Sequence, residues 1–345
     1  MNLNVACTLA NNPLLSCTFD KTPTLPIISF ELFVIIGTIV ALFILSKISK
    51  QVLLRYFIVT IGVLIFEVFT APMWNNFKLG WWAYVYKDVT WVLTIGWSTL
   101  ILSTVTLIDK FFAKLKEWQK FGLYLILLTI LVFIAESVVL GLGIRSYSPE
   151  VLNTLVGYYI FNVPIEGLYY IPVFISLVIS FYKYWGFMLD KEPIIPIKRR
   201  AWLRNLAIAF IGVFFFELMI EPMVVNAKLP SWSYVYRDIS FLMTGFWILI
   251  IWLSTNVVDK YLIHYDLRAR FLLYLLVAGA FTLPLESWFI IHGFRVYGPS
   301  AVANFTGFNT PITNVPVEVA FAIPCYLALI ISFIRCWEIN LDNKR

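Results

Sequence analysis

"IGVLIFEVFTAPMWNNFKLGWWAYVYKD", residues 61–88, returns 150 positions later as "IGVFFFELMIEPMVVNAKLPSWSYVYRD", residues 211–238. Both copies keep a glutamate in an apolar run (Glu67, Glu217), then a proline (Pro72, Pro222). The loop residues Asn76/Asn226, Lys78/Lys228, Trp82/Trp232 and Asp88/Asp238 stay in step as well. Chance similarity between two greasy helices would not hold loop residues in register. The same shift pairs Glu136 with Glu286, and Gly143, Arg145 and Tyr147 with Gly293, Arg295 and Tyr297. With two residues added to the second copy, Asn162, Pro164, Glu166 and Pro172 fall on Asn314, Pro316, Glu318 and Pro324. The chain is read as an internal duplication.

The apolar runs around these motifs say where the copies sit. Hydrophobic residues make up 61% of the chain and charged residues 13%, against roughly 25% charged in a soluble domain. Apolar segments long enough to span a bilayer fall near 28–48, 52–72, 89–109, 121–142, 159–182, 203–223, 239–258, 269–292 and 315–335. The expected fold is therefore an all-α integral membrane protein of about nine spans, one N-terminal span plus two parallel four-helix repeats. The corresponding division is 1–27 as a translocated tail, 28–51 as the unpaired first span and 52–189 as repeat 1. A basic, proline-containing linker at 190–202 and repeat 2 at 203–345 follow.

The net charge of +6 matters less than where the 26 Lys and Arg residues lie. Most of them, including Lys110, Lys114, Lys116, Lys183, Lys198, Arg199, Arg200 and Arg335, share one side if the N-terminus is outside and the C-terminus cytoplasmic. No nucleic-acid partner is expected. Cys7 and Cys17 lie in the translocated tail, where they could pair in an oxidising compartment, and Cys325 and Cys336 read as packing residues. The sequence has no HExxH, no CxxC and no P-loop, which argues against a zinc protease, a diiron desaturase or nucleotide-driven chemistry.

Counting from span ends under this topology puts Glu67, Asp88, Glu136 and Glu166 of repeat 1 in the outer third of the membrane. Glu217, Asp238, Glu286 and Glu318 repeat the layer. An ionisable group in a span is costly and normally faces a partner in the bundle interior. Asp88 and Asp238 are expected to N-cap the following helices. Asn162 and Glu166, and Asn314 and Glu318, are expected one turn apart on a helix face. Pro172 and Pro324 are expected to kink their helices and free a carbonyl at that depth.

The stretch from Glu136 to Tyr169 (acid, Gly143, Tyr147, then Pro164-Ile165-Glu166 running into aromatics) resembles the repeated unit of the small integral-membrane lycopene cyclases and related bacterial membrane terpene cyclases. The second copy fits through Glu286, Gly293, Tyr297 and Pro316-Val317-Glu318. Here Glu stands where that family usually has Asp, Arg145 or Arg295 where its loop has Trp, and Gly167 or Val319 where its second Glu falls. The resemblance implies acid-initiated cyclisation of a lipid-soluble isoprenoid without cofactor, metal or redox change.

The copies differ at two informative places. Ala71 corresponds to Glu221, and Leu142 to His292. Glu286 and Glu318 are accordingly expected to supply the acid layer, with Glu221 or His292 accepting the proton and Glu67, Glu136, Glu166 and Glu217 as further acid candidates. Asn162, Asn314, Arg145, Arg295, Tyr147, Tyr297, Trp82, Trp232, Asp88 and Asp238 are the candidate substrate contacts. The competing expectations are a proton- or cation-coupled carrier, against which the confinement of polar residues to one layer argues, and a non-catalytic lipid-binding protein.

Overall fold

The structure, a computed structural model, describes residues 21–190 and 201–343. Cys7, Cys17 and nearly all of the 190–202 linker lie outside the described residues. After α1 (Leu25–Ser46), the first half runs through α2 (Val52–Thr70), β1 (Trp74–Asn76), β2 (Tyr84–Tyr86), β3 (Val89–Thr90), α3 (Trp91–Phe111) and α4 (Glu117–Gly141). It continues with β4 (Arg145–Tyr147), α5 (Pro149–Thr154), β5 (Tyr159–Ile160), β6 (Val163–Pro164) and α6 (Gly167–Leu189). The second half repeats the order with α7 (Trp202–Ile220), β7 (Val224–Asn226), β8 (Tyr234–Tyr236), β9 (Ile239–Ser240), α8 (Phe241–Tyr261) and α9 (Leu267–Ile291). It closes with β10 (Arg295–Tyr297), α10 (Pro299–Ala303) and α11 (Val317–Asp342).

Nine of the described helices are long and apolar enough to cross a membrane. This is an all-α membrane protein. Large apolar side chains such as Phe33 and Leu53, 73% and 74% exposed, cover its outside, as expected where the surrounding solvent is lipid. The two most buried helices, α6 and α11, pack against each other at the centre. Around them α2 packs on both α6 and α11, α7 on α11, α4 on α6 and α9 on α11, while α1 lies outside against α3. Buried Glu31 of α1 accepts a 2.7 Å hydrogen bond from the Gly80 N–H and so fixes that helix to the first repeat.

Short strands gather where α2, α4, α7 and α9 end, because a chain leaving a helix must satisfy its backbone groups there. In each half the segment after the first repeat helix pairs antiparallel with the segment after the third: Asn76 faces Arg145, and Asn226 faces Arg295. Gly143, at φ +67°, ends α4 in the left-handed region, and the Ile144 N–H returns to the Val139 carbonyl at 3.0 Å. Gly293 does the same after α9, with Phe294 N–H on the Phe289 carbonyl at 2.8 Å. The glycine of the resemblance is thus a helix C-cap.

Four expectations are corrected. The fifth span starts at Gly167 and not near 159, because Tyr159–Ile160 and Val163–Pro164 form a hairpin. Its turn residues Phe161 and Asn162 have φ of 49° and 67°, the left-handed pair that a tight two-residue hairpin requires. Asn162 therefore holds a turn and shares no helix face with Glu166, and Asn314, at φ 54°, likewise precedes α11. Asp88 and Asp238 do not cap α3 and α8, whose N-cap residues are Thr90 and Ser240. Finally, Lys183, expected just past the fifth span, lies half-buried within α6, and α11 runs on beyond Arg335, which is buried.

Candidate functional site

Two polar clusters, one per repeat, lie at the strand-bearing end of the bundle. In the first, the β1–β4 ladder sets Arg145 against Asn76, and α4 presents Glu136 one turn before its end. Arg145 donates from Nε to Asn76 Oδ1 and from Nη1 to Glu136 Oε2, each at 3.0 Å. The guanidinium carbon lies 5.3 Å from the Trp74 ring centre, and the Tyr147 hydroxyl approaches Glu136 at 3.5 Å. Nearby Glu67 accepts from the Thr94 hydroxyl. This cluster is closed, and the crevice between Glu67, Trp74, Asn76 and Asp88 is too small to admit a water.

The second cluster is built from the same residues and is open. A cavity of about 600 Å³, within the range of small-molecule sites, runs from Glu217 of α7, Glu286 of α9 and Arg295 of β10 to Phe321 of α11. Val68 and Phe69 of α2, with Tyr86, bring the first repeat into its wall. Most of the lining is apolar, with the rings of Phe69, Trp247, Phe305 and Tyr326 among it. Exposed Val317 and Phe321 form a rim on the lipid-facing surface of α11.

The polar end of this cavity has few internal partners. Tyr297 donates its hydroxyl to Glu286 Oε1, while Arg295 Nε comes only to 3.5 Å from the same oxygen. Glu217 accepts from the Thr244 hydroxyl, and Glu221 has Arg237 at 3.8 Å. Glu318 also lines the cavity, and its Oε1 is taken by the Thr306 N–H at 2.6 Å. Glu166 holds the equivalent Val156 N–H at 2.6 Å. Both glutamates therefore brace the loop that precedes their helix.

A difference in volume at one position accompanies the asymmetry. Trp74 of β1 packs on Phe66 with ring centres 6.4 Å apart and carries Arg145 on its face. Its counterpart is Val224, which lines the cavity. Replacing an indole with an isopropyl group removes the wedge, and the space persists because the surrounding helices are pinned elsewhere.

No family, curated protein or solved structure matches this chain. Function is therefore argued from the site alone. Of the candidate residues, the structure gathers Glu217, Glu221, Glu286, Glu318, Arg295 and Tyr297 around one cavity. Glu67, Glu136, Arg145 and Tyr147 form the closed cluster, with Asp88 at its crevice. His292 is outside the cavity, its Nδ1 at 2.8 Å from the Trp288 carbonyl oxygen. Trp82 and Trp232 are exposed at 40% and 65% and pack at a tilt against Trp91 and Phe241. The backbone carbonyls of Asp88 and Asp238 accept from Asn76 and Asn226 at 2.6 and 2.9 Å.

Sequence reasoning missed Tyr326 and Trp247, whose positions inside apolar runs carry no signal, and the Thr94 and Thr244 partners of the buried glutamates. It also missed a second polar layer at the opposite end. There Lys183 bridges Asp109 at 2.7 Å and Glu117 at 3.5 Å, and Arg335 bridges Asp259 at 2.6 Å and also Glu338. Pairing of Asp109 with Asp259 in the duplication was the available signal.

Proposed function

We propose that the chain is a membrane-embedded enzyme that cyclises an isoprenoid lipid by protonating it, without redox change. The observation that carries this reading is the cavity: apolar along its length, opening at a lipid-facing rim, and bordered by four glutamates and one arginine. Glu217 is the proton donor in this scheme, because it faces the cavity with one hydroxyl partner, whereas Glu286 accepts from the Tyr297 hydroxyl beside the cationic Arg295. Its proton adds to an alkene carbon, a ring C–C bond forms from a second alkene, and the resulting cation loses a proton to Glu221. The product has the mass of the substrate. The ring faces of Phe69, Trp247 and Tyr326 stabilise the cation on its way.

The N-terminus is taken as outside and the C-terminus as cytoplasmic, since most of the Lys and Arg residues then collect on the cytoplasmic side. The cavity then faces the outer leaflet. Against a carrier, the fully buried Leu327, Leu329, Ile330 and Ile331 of α11 stand between the two polar layers.

The test is to incubate membranes containing the protein with polyprenes and look for an isomer of unchanged mass. Glu217→Gln is expected to lower turnover by ~10²–10⁴-fold, the usual worth of a positioned acid, with Glu166→Gln close to wild type. Full turnover in both Glu217→Gln and Glu286→Gln would sink the assignment.

A further inference from the structure

The duplication supplies its own control. Arg145, Asn76 and Glu136 satisfy one another in repeat 1, yet Asn226 Oδ1, Glu286 Oε2 and both Nε and Nη2 of Arg295 have no hydrogen-bond partner in repeat 2. The Tyr326 hydroxyl is unpartnered too. Each of these residues is at least nine-tenths buried, and each lines the cavity. Buried polar atoms are nearly always hydrogen-bonded, and the same fold shows how this trio closes when nothing is to be admitted.

We infer that the ligand of this cavity carries a hydroxyl on an otherwise apolar chain, seated against Arg295, Asn226 and Tyr326. This rests on the proposed function for the isoprenoid chain and is independent of the chemistry. A hydroxyl can accept from the guanidinium and the tyrosine while donating to the Asn226 oxygen, so it gives each of the three residues a partner. A pure hydrocarbon leaves them bare. A phosphate is disfavoured because Glu217, Glu221, Glu286 and Glu318 border the same space, so that carboxylates outnumber the one lining guanidinium.

The experiment is equilibrium binding to the full chain in lipid nanodiscs of geranylgeraniol, the same chain lacking its hydroxyl, and geranylgeranyl monophosphate. The alcohol is expected to bind ~10-fold or more tightly than the hydrocarbon, the worth of one well-made hydrogen bond at a buried site, and at least as tightly as the phosphate. Tyr326→Phe and Arg295→Met should each shrink that preference by weakening alcohol binding; if Arg295→Met does not fold, Tyr326→Phe decides. Val224→Trp should abolish binding of both and keep the melting temperature, since repeat 1 already accommodates tryptophan there. Equal affinities, tighter phosphate binding, no binding of any probe, or a preference unmoved by Tyr326→Phe and Arg295→Met would each overturn the inference, equal affinities being the result if water alone occupies the site. A preserved alcohol preference with no isomer formed defeats only the cyclase reading.

Discussion

Arg145 and Arg295 occupy equivalent positions and do different work. Arg145 is bound to both Glu136 and Asn76, so Arg145→Met would strand a buried carboxylate, at a cost of about 3–5 kcal/mol. Arg295→Met should cost distinctly less, since Glu286 keeps the Tyr297 hydroxyl and the guanidinium stands 3.5 Å away. Melting temperatures of the two variants in the same detergent check the order. Asp88, outside the spans, makes a separate case. Burial raises its carboxyl to about 7 against the pull of Lys21 and Lys87. An acid raised in the folded state is more strongly protonated when folded, so its contribution is greatest below about pH 4, the unfolded value. It then declines as pH rises toward about 7 and levels off above that. Asp88→Asn should flatten this segment of the stability profile, and an unchanged slope between pH 4 and 7 would show that Asp88 is not its source.

At the scale of elements, the helix pairs α2–α6 and α7–α11 approach closely where a glycine meets a ring. A Cβ on Gly62 would lie 3.1 Å from Phe181 Cδ1, and one on Gly212 2.9 Å from Phe333 Cδ1. Both rings are buried and cannot swing clear. Overpacking of this kind costs about 1–3 kcal/mol, so Gly212→Val and Gly62→Val should each lower the melting temperature, with Gly212→Ala milder. Small residues at such crossings are how membrane helices gain van der Waals contact without a hydrophobic driving force. Element boundaries were legible wherever hydropathy changed sharply. They were not legible at the N-x-P-x-E segments, where apolar hairpin residues such as Tyr159 and Ile160 carry the same hydropathy as a span, and only the left-handed φ of Asn162 separates turn from helix.

Across the whole molecule the repeats clasp reciprocally. Lys87 donates to the Asn304 carbonyl, and its counterpart Arg237 donates back to the Thr154 carbonyl at 2.9 Å. The Ser300 N–H adds a 3.0 Å bond to Glu150. The ionic layers at the opposite end anchor α6 and α11 independently of the cavity. Arg335→Met should therefore destabilise by about 3–5 kcal/mol, as a broken buried pair does, while leaving ligand preference intact. A simultaneous loss of preference in folded protein would show that the two ends communicate.

By itself the sequence determined the membrane class, the span count and the duplication, because hydropathy and self-similarity are properties of the chain read in order. It also marked the glutamates and the arginine that line the cavity, since a charge within an apolar run is conspicuous before anything folds. Only the tertiary structure decided which of those residues meet. Glu286 and Arg295 face Glu217 because α9, β10 and α7 converge, whereas His292, next to the end of the same helix, points away from them. The open site goes with a smaller side chain, Val224 where the first repeat has Trp74, and a difference in volume becomes a cavity only when packed helices around it hold their places.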